Sequence, residues 1–87
     1  MKNRGRTEML ATMLEVAKGK VTKTKIMYIA FLSNVQLKEY LPILIENNLI
    51  EYLDGDNKFK TTEKGLNYLN IHNESKKLLP QTTTIKN

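Results

Sequence analysis

The chain has 87 residues, 40% of them hydrophobic and 26% charged, with a net charge of +5. That length holds one hydrophobic core and excludes a second, and the composition excludes wholesale disorder. No apolar run approaches the roughly 18 residues of a membrane span, and without cysteine there are no disulfides, thiolate metal sites or cysteine nucleophiles, as suits a reducing cytosol.

The basic N-terminal stretch "MKNRGRTEML" runs straight into an amphipathic pattern, so no signal peptide is expected. Over residues 7–18, Met9, Leu10, Met13, Leu14, Val16 and Ala17 recur at helical spacing, with Gly19 as a natural stop. Thr22 is placed to cap a short second helix ending near Phe31, with Ile26, Ile29 and Ala30 as its buried stripe and Met27 at the edge. Ser33 and Gln36 then have capping-box spacing, so "LSNVQ" reads as a turn followed by a third helix. Leu37, Leu41, Leu44, Ile45 and Asn48 form its predicted inner face, which turns Val35, Glu39, Pro42, Ile43 and Glu46 outward. Pro42 removes a hydrogen bond inside this helix, at about 3 kcal/mol in an ideal interior. The apolar stripe stays in phase across it, so one kinked helix is expected.

Asn47 and Asn48 suit a helix end. "LIEYL" (49–53) and "KFKT" (58–61) then read as strands joined by "DGDN", in which Gly55 or Asn57 takes positive φ. Thr61 or Thr62 caps a last helix that Pro80 stops, and a residue near Val21 can add a minor third strand. The expected fold is mainly α with a small β-hairpin (α+β): a winged helix-turn-helix plan with an additional C-terminal helix. Its parts are a basic flexible arm at 1–6, a domain at 7–79 whose last helix spans about 62–79, and a frayed tail at 80–87.

The run from 23 to 69 resembles the small archaeal winged-helix DNA-binding proteins, which include dimeric chromatin-type proteins and predicted transcriptional regulators. The pieces that carry the resemblance are "KTKIMY", "LSNVQLKEYL", "LIENNLIE" and "KTTEKGLNYL". The chain departs from that pattern at Pro42, and at Pro80, which ends the last helix early. The resemblance implies double-stranded DNA as partner, a third helix that enters the major groove, and pairing of subunits through the last helix.

Charge adds to this. Residues 1–25 carry seven basic side chains against Glu8 and Glu15, which suggests a polyanionic partner. Lys23 and Lys25 fall in the first turn of the second helix, where free backbone amides also favour an anion. Lys58 and Lys60 alternate with Phe59 on the wing strand, and Lys2, Arg4 and Arg6 make up the arm. Lys23, Lys25, Lys58, Lys60, Arg4 and Arg6 are therefore the candidate phosphate contacts; any one of them alone reads equally as solvated surface.

Asn34, Gln36 and Lys38 are the candidate base contacts. Asn34 and Gln36 can pair bidentately with adenine and Lys38 can reach guanine or phosphate, unless the two amides are spent on capping. Tyr28 should be exposed, contacting phosphate, a partner or only water. Tyr68, Ile71 and Leu78, spaced with Ser75 like a short heptad seam, are the candidate homodimer interface, while Leu66 and Leu69 return to the core.

Nothing supports catalysis, a cofactor or a small-molecule substrate. His72 is the only histidine, the glycines at 5, 19, 55 and 65 are isolated, and Asp54 and Asp56 lack the other ligands of a Ca²⁺ loop. The expectation is a non-enzymatic, cytoplasmic, nucleoid-associated homodimer that binds DNA as a transcriptional regulator or chromatin-type protein. The alternative is a winged-helix module for protein–protein interaction that does not bind DNA.

Overall fold

The computed structural model of the protein describes residues 5–78, with Lys77 and Leu78 described in their backbone alone. Of the expected arm, Lys2 and Arg4 lie outside the described residues, as does the tail at 80–87. Helix α1 (Arg6–Val16) begins one residue earlier than its pattern predicts, and Arg6 stands 6.0 Å from the centroid of the Tyr40 ring. It ends at Val16 and tightens into a 3-10 turn, Ala17–Gly19. The left-handed residue that follows is Lys20 (φ 65°), not Gly19. This reversal delivers Val21 to the hairpin, where it pairs with Phe59 in both directions, N···O 2.9 and 2.7 Å.

Thr22 caps α2 (Lys23–Ile29), accepting from the Lys25 amide. The capping box at α3 (Asn34–Glu46) is complete: the Gln36 amide donates to Ser33 Oγ at 3.1 Å, and the Ser33 amide to Gln36 Oε1 at 2.9 Å. Both helices end in the same Schellman geometry. Leu32 N–H returns to Met27 O and Phe31 N–H to Tyr28 O; Leu49 N–H returns to Leu44 O and Asn48 N–H to Ile45 O. The left-handed residue is Phe31 in the first case (φ 56°) and Asn48 in the second (φ 61°).

Two inner faces are turned from their expected phase. In α2, Ile26 and Ala30 are buried but Ile29 is exposed; seven residues make barely two turns, and packing on Ile26 and Ala30 leaves Ile29 to one side. In α3, Tyr40 joins Leu37, Leu41 and Leu44 in the core, Ile43 packs against its edge, and Ile45 is partly exposed. The large Tyr40 ring draws the helix round, so Ile43 and Ile45 exchange their predicted roles. Pro42, on the exposed side, leaves α3 one continuous helix.

Strands β1 (Ile50–Leu53) and β2 (Lys58–Thr61) pair antiparallel, Ile50 opposite Thr61 and Tyr52 opposite Phe59. Asn57 takes the positive φ of the turn, not Gly55, and its side chain accepts from the Tyr52 hydroxyl. The two threonines divide the expected capping role. Thr62 accepts from the Gly65 amide and so caps α4 (Glu63–Leu78). Thr61 is buried and donates to Leu14 O at 2.6 Å, satisfying a carbonyl that the last turn of α1 would leave open.

The core draws Met13 and Leu14 from α1, Ile26 from α2, Leu44 from α3, Ile50 from β1 and Leu69 from α4. Burying such a side chain is worth about 1.5–3 kcal/mol. Leu66, expected inside with Leu69, is instead partly exposed, because α4 approaches the core along Gly65 and Leu69, one turn apart. Gly65 permits the approach: a Cβ there would overlap Leu49 O and lie 2.6 Å from Thr61 Cγ2. Alanine is favoured over glycine in a helix by about 1 kcal/mol. Gly65→Ala should nevertheless lower stability by roughly 1–3 kcal/mol through overpacking, whereas Gly19→Ala, with open space around it, should not. Denaturant midpoints of the two variants check this.

Candidate nucleic-acid interface

Caps and helix phase decide what stands outward on α2 and α3. Asn34, Val35, Lys38, Glu39, Pro42 and Glu46 are exposed on α3, and Lys23, Lys25 and Tyr28 on α2. Lys23 lies where two depressions meet. One, of about 370 Å³, runs between Lys23 and the outer side of α3, with Leu37, Leu41, Pro42 and Ile45 as its apolar floor and Lys38 and Glu46 beside it. The other, of about 470 Å³, separates the start of α2 from the wing and is lined by Thr22, Lys23, Thr24, Tyr52, Asn57 and Phe59. Lys23 and Lys38 are thus brought to one groove, and Lys23 also faces the hairpin.

The wing lysines take a different face. Strand alternation and register put Tyr52 and Phe59 together, ring centroids 5.0 Å apart, on the side of Ile50 and Thr61. Lys58 and Lys60 project from the opposite side, with Lys60 across from Glu51. Arg6 is carried on the first turn of α1 beside Tyr40 rather than in an arm. Of the candidate base contacts, Asn34 and Lys38 are exposed. Gln36 is half-buried: its oxygen closes the capping box and its Nε2 approaches Met9 Sδ at 3.8 Å.

On α4, Tyr68 packs against the core and stacks on His72 at 6.4 Å, while Ile71 is 62% exposed. The Leu78 side chain falls outside the described residues. Among the described residues, no group of three His, Asp or Glu side chains is placed to hold a metal ion, and no helix is long and apolar enough to cross a membrane.

Nothing in the sequence pattern marks Tyr52 and Asn57 as lining the wing cleft, since both read there as ordinary strand and turn residues. Nor did it reveal the tie between Lys20 and Asp56, 2.9 Å apart, which fastens the wing tip to the loop before α2. That pair joins residues 36 apart and has no local signature.

A helix-turn-helix whose second helix is open on one side, followed by a hairpin bonded to the segment before α2, defines a winged-helix protein. The winged helix-turn-helix family model matches residues 3–79, and the chain belongs to that family. At the general level this is a DNA-binding, non-enzymatic fold. No curated protein matches the chain.

The Lys20 ammonium, by hydrogen bond and then by charge, holds the Asp56 carboxyl below its ordinary value, with Lys58 adding to the effect. A value lower in the folded than in the unfolded chain means the pair supports folding above the unfolded aspartate value. That support is lost as pH falls through the folded value. In Lys20→Ala the Asp56 titration, followed by carboxyl NMR, should move up towards that of an ordinary aspartate.

Proposed function

We propose that the protein binds double-stranded DNA through the exposed side of α3, flanked by the lysines of α2 and the wing, and acts as a homodimeric transcriptional regulator or chromatin-type protein. The observation that carries this reading is the position of Lys23, shared by the α3 groove and the wing cleft, within a stretch that holds no acidic residue between Glu15 and Glu39. Lys25 and Lys38 extend the same charge, and Lys58 and Lys60 supply phosphate contacts from the outer face of the wing. Arg6, and Arg4 before it, add to the basic start of α1.

Asn34 and Lys38 are the base-reading pair in this reading, since Gln36 is largely committed to its cap. Glu39 and Glu46 also face outward. They repel phosphates but accept hydrogen bonds from cytosine N4, so α3 must point into a groove and not lie along a backbone. The protein-interaction alternative is favoured by one observation, the apolar floor formed by Leu37, Leu41, Pro42 and Ile45. Such docking would respond little to salt.

Neutralised phosphates release counterions, and the logarithm of affinity falls by about 0.9 per phosphate for each log unit of salt. Lys23→Ala/Lys25→Ala and Lys58→Ala/Lys60→Ala should each weaken binding to every duplex and flatten this slope. Unchanged slopes in both double variants would dismiss the phosphate contacts, and undetectable duplex binding by the parent would favour the docking reading.

Pairing through α4 rests on Ile71, exposed on the outer side of the helix, with Tyr68 and Leu78 flanking it in sequence. Two linked copies bind one duplex far more tightly than either alone. Ile71→Glu should give a folded monomer with reduced duplex affinity. A parent protein that sediments as a monomer at tens of micromolar would remove the dimer.

A further inference from the structure

The turn between α2 and α3 exposes aromatic surface that the duplex reading leaves unused. Phe31 is 83% exposed, Tyr28 79% and Val35 72%, all within residues 28–35. Phe31 is also a backbone outlier, because at φ 56° it occupies the left-handed region, where a bulky side chain is disfavoured. The molecule contains its own control. The Schellman turn that ends α3 has the same two returning hydrogen bonds and a similar φ, and there the left-handed residue is Asn48, a type that tolerates it. The turn after α2 would close as readily with asparagine. Its phenylalanine therefore carries a backbone cost, and the exposed ring recovers little of it by burial in the core.

Such an outlier directs attention to function, and charge indicates what the ring meets. Tyr28 lies one helical turn beyond Lys25, and Val35 one turn before Lys38. The 23 residues from 16 to 38 contain Lys18, Lys20, Lys23, Lys25 and Lys38 and no acid. A second copy of the chain placed on this patch would bring lysines against lysines. An acidic partner without planar groups would use the charge and leave the rings in water. Exposed aromatic faces beside solvated cations match a chain of phosphates carrying unpaired bases, which stack on such rings with little regard to sequence.

We infer that Phe31 and Tyr28 form a stacking platform for unpaired bases, so that the protein binds single-stranded nucleic acid at the turn between α2 and α3, with Lys25 and Lys38 on its phosphates. This goes beyond the duplex reading, and the two are separable. The test uses fluorescent oligo-dT and oligo-U of roughly a dozen nucleotides, long enough for one small domain, with an abasic strand of equal length and a duplex as comparators.

The full chain should bind oligo-dT, oligo-U or both about ten-fold or more tightly than the abasic strand, the better of the two telling DNA from RNA. Phe31→Asn should abolish that advantage while its melting temperature is unchanged or raised and its duplex affinity is kept. Phe31→Tyr should retain the advantage. Equal binding of abasic and base-bearing strands would overturn the platform. So would a Phe31→Asn variant that loses duplex and single strand alike, since the ring would then belong to the groove contact. Loss of self-association in Phe31→Asn, with strand binding intact, would also overturn it by making the patch a contact between copies.

Discussion

The two backbone hydrogen bonds between Val21 and Phe59 hold the wing to the helices, and the geometry of the interface depends on them. A two-stranded hairpin is marginal in water by itself, and β1 and β2 have four residues each. Val21 supplies a third pairing along the free edge of β2, and Thr61 ties the base of the same strand to the end of α1 through Leu14 O. Lys20 and Asp56 fasten the opposite end. The ties through Lys20 and Val21 fall on the loop that also positions the Thr22 cap, so the wing is joined directly to the start of α2. The cleft that Lys23 shares with Tyr52, Asn57 and Phe59 is a consequence of that joint, not of any property of the hairpin alone.

What could be read in the sequence was local. Ser33 with Gln36, Thr22 with Lys25, and the alternation of Lys58, Phe59 and Lys60 each act over two or three residues, and the structure has them as the pattern predicts. The winged-helix plan, the element order and even the single strand residue at Val21 followed from such signals. The rotation of each helix did not, because phase is settled by competition among side chains that meet across the core. On hydropathy alone Ile45 has the stronger claim to the inside of α3, yet it is the Tyr40 ring that is buried, with Arg6 above it, while Ile45 stays partly exposed. Leu66 lost to Gly65, since close approach of α4 to Leu49 requires the absence of a side chain.

The same division applies to the interface. Charge is additive and local enough to be counted along the chain, so the basic lysines were legible as a group. Which of them share a surface depends on strand register and on the side from which the hairpin docks. Lys58 and Lys60 turn away from the cleft that Lys23 faces, and Gln36, plausible as a reader of adenine from its chemistry, is drawn into a cap and towards Met9. Side-chain chemistry defines what a residue is able to contact. The caps and the core then remove some of those options before any ligand arrives.

In so small a domain the inner faces of all four helices and the wing are consumed by one core, and recognition is left to the outer faces. The edge formed by α2 and α3 is uniformly basic up to Lys38, which disfavours its pairing with a copy of itself. The outer side of α4 is different: Leu66 and Ile71 are set among Glu63, Lys64, Asn67, Asn70, Glu74 and Ser75, a nearly neutral surface without a charge barrier to self-association. The basic edge of α2 and α3 and the nearly neutral outer side of α4 thus share no residue. A substitution on the outer side of α4 therefore leaves the charge and shape of the α2–α3 edge unchanged, and a substitution at the turn after α2 leaves those of α4 unchanged.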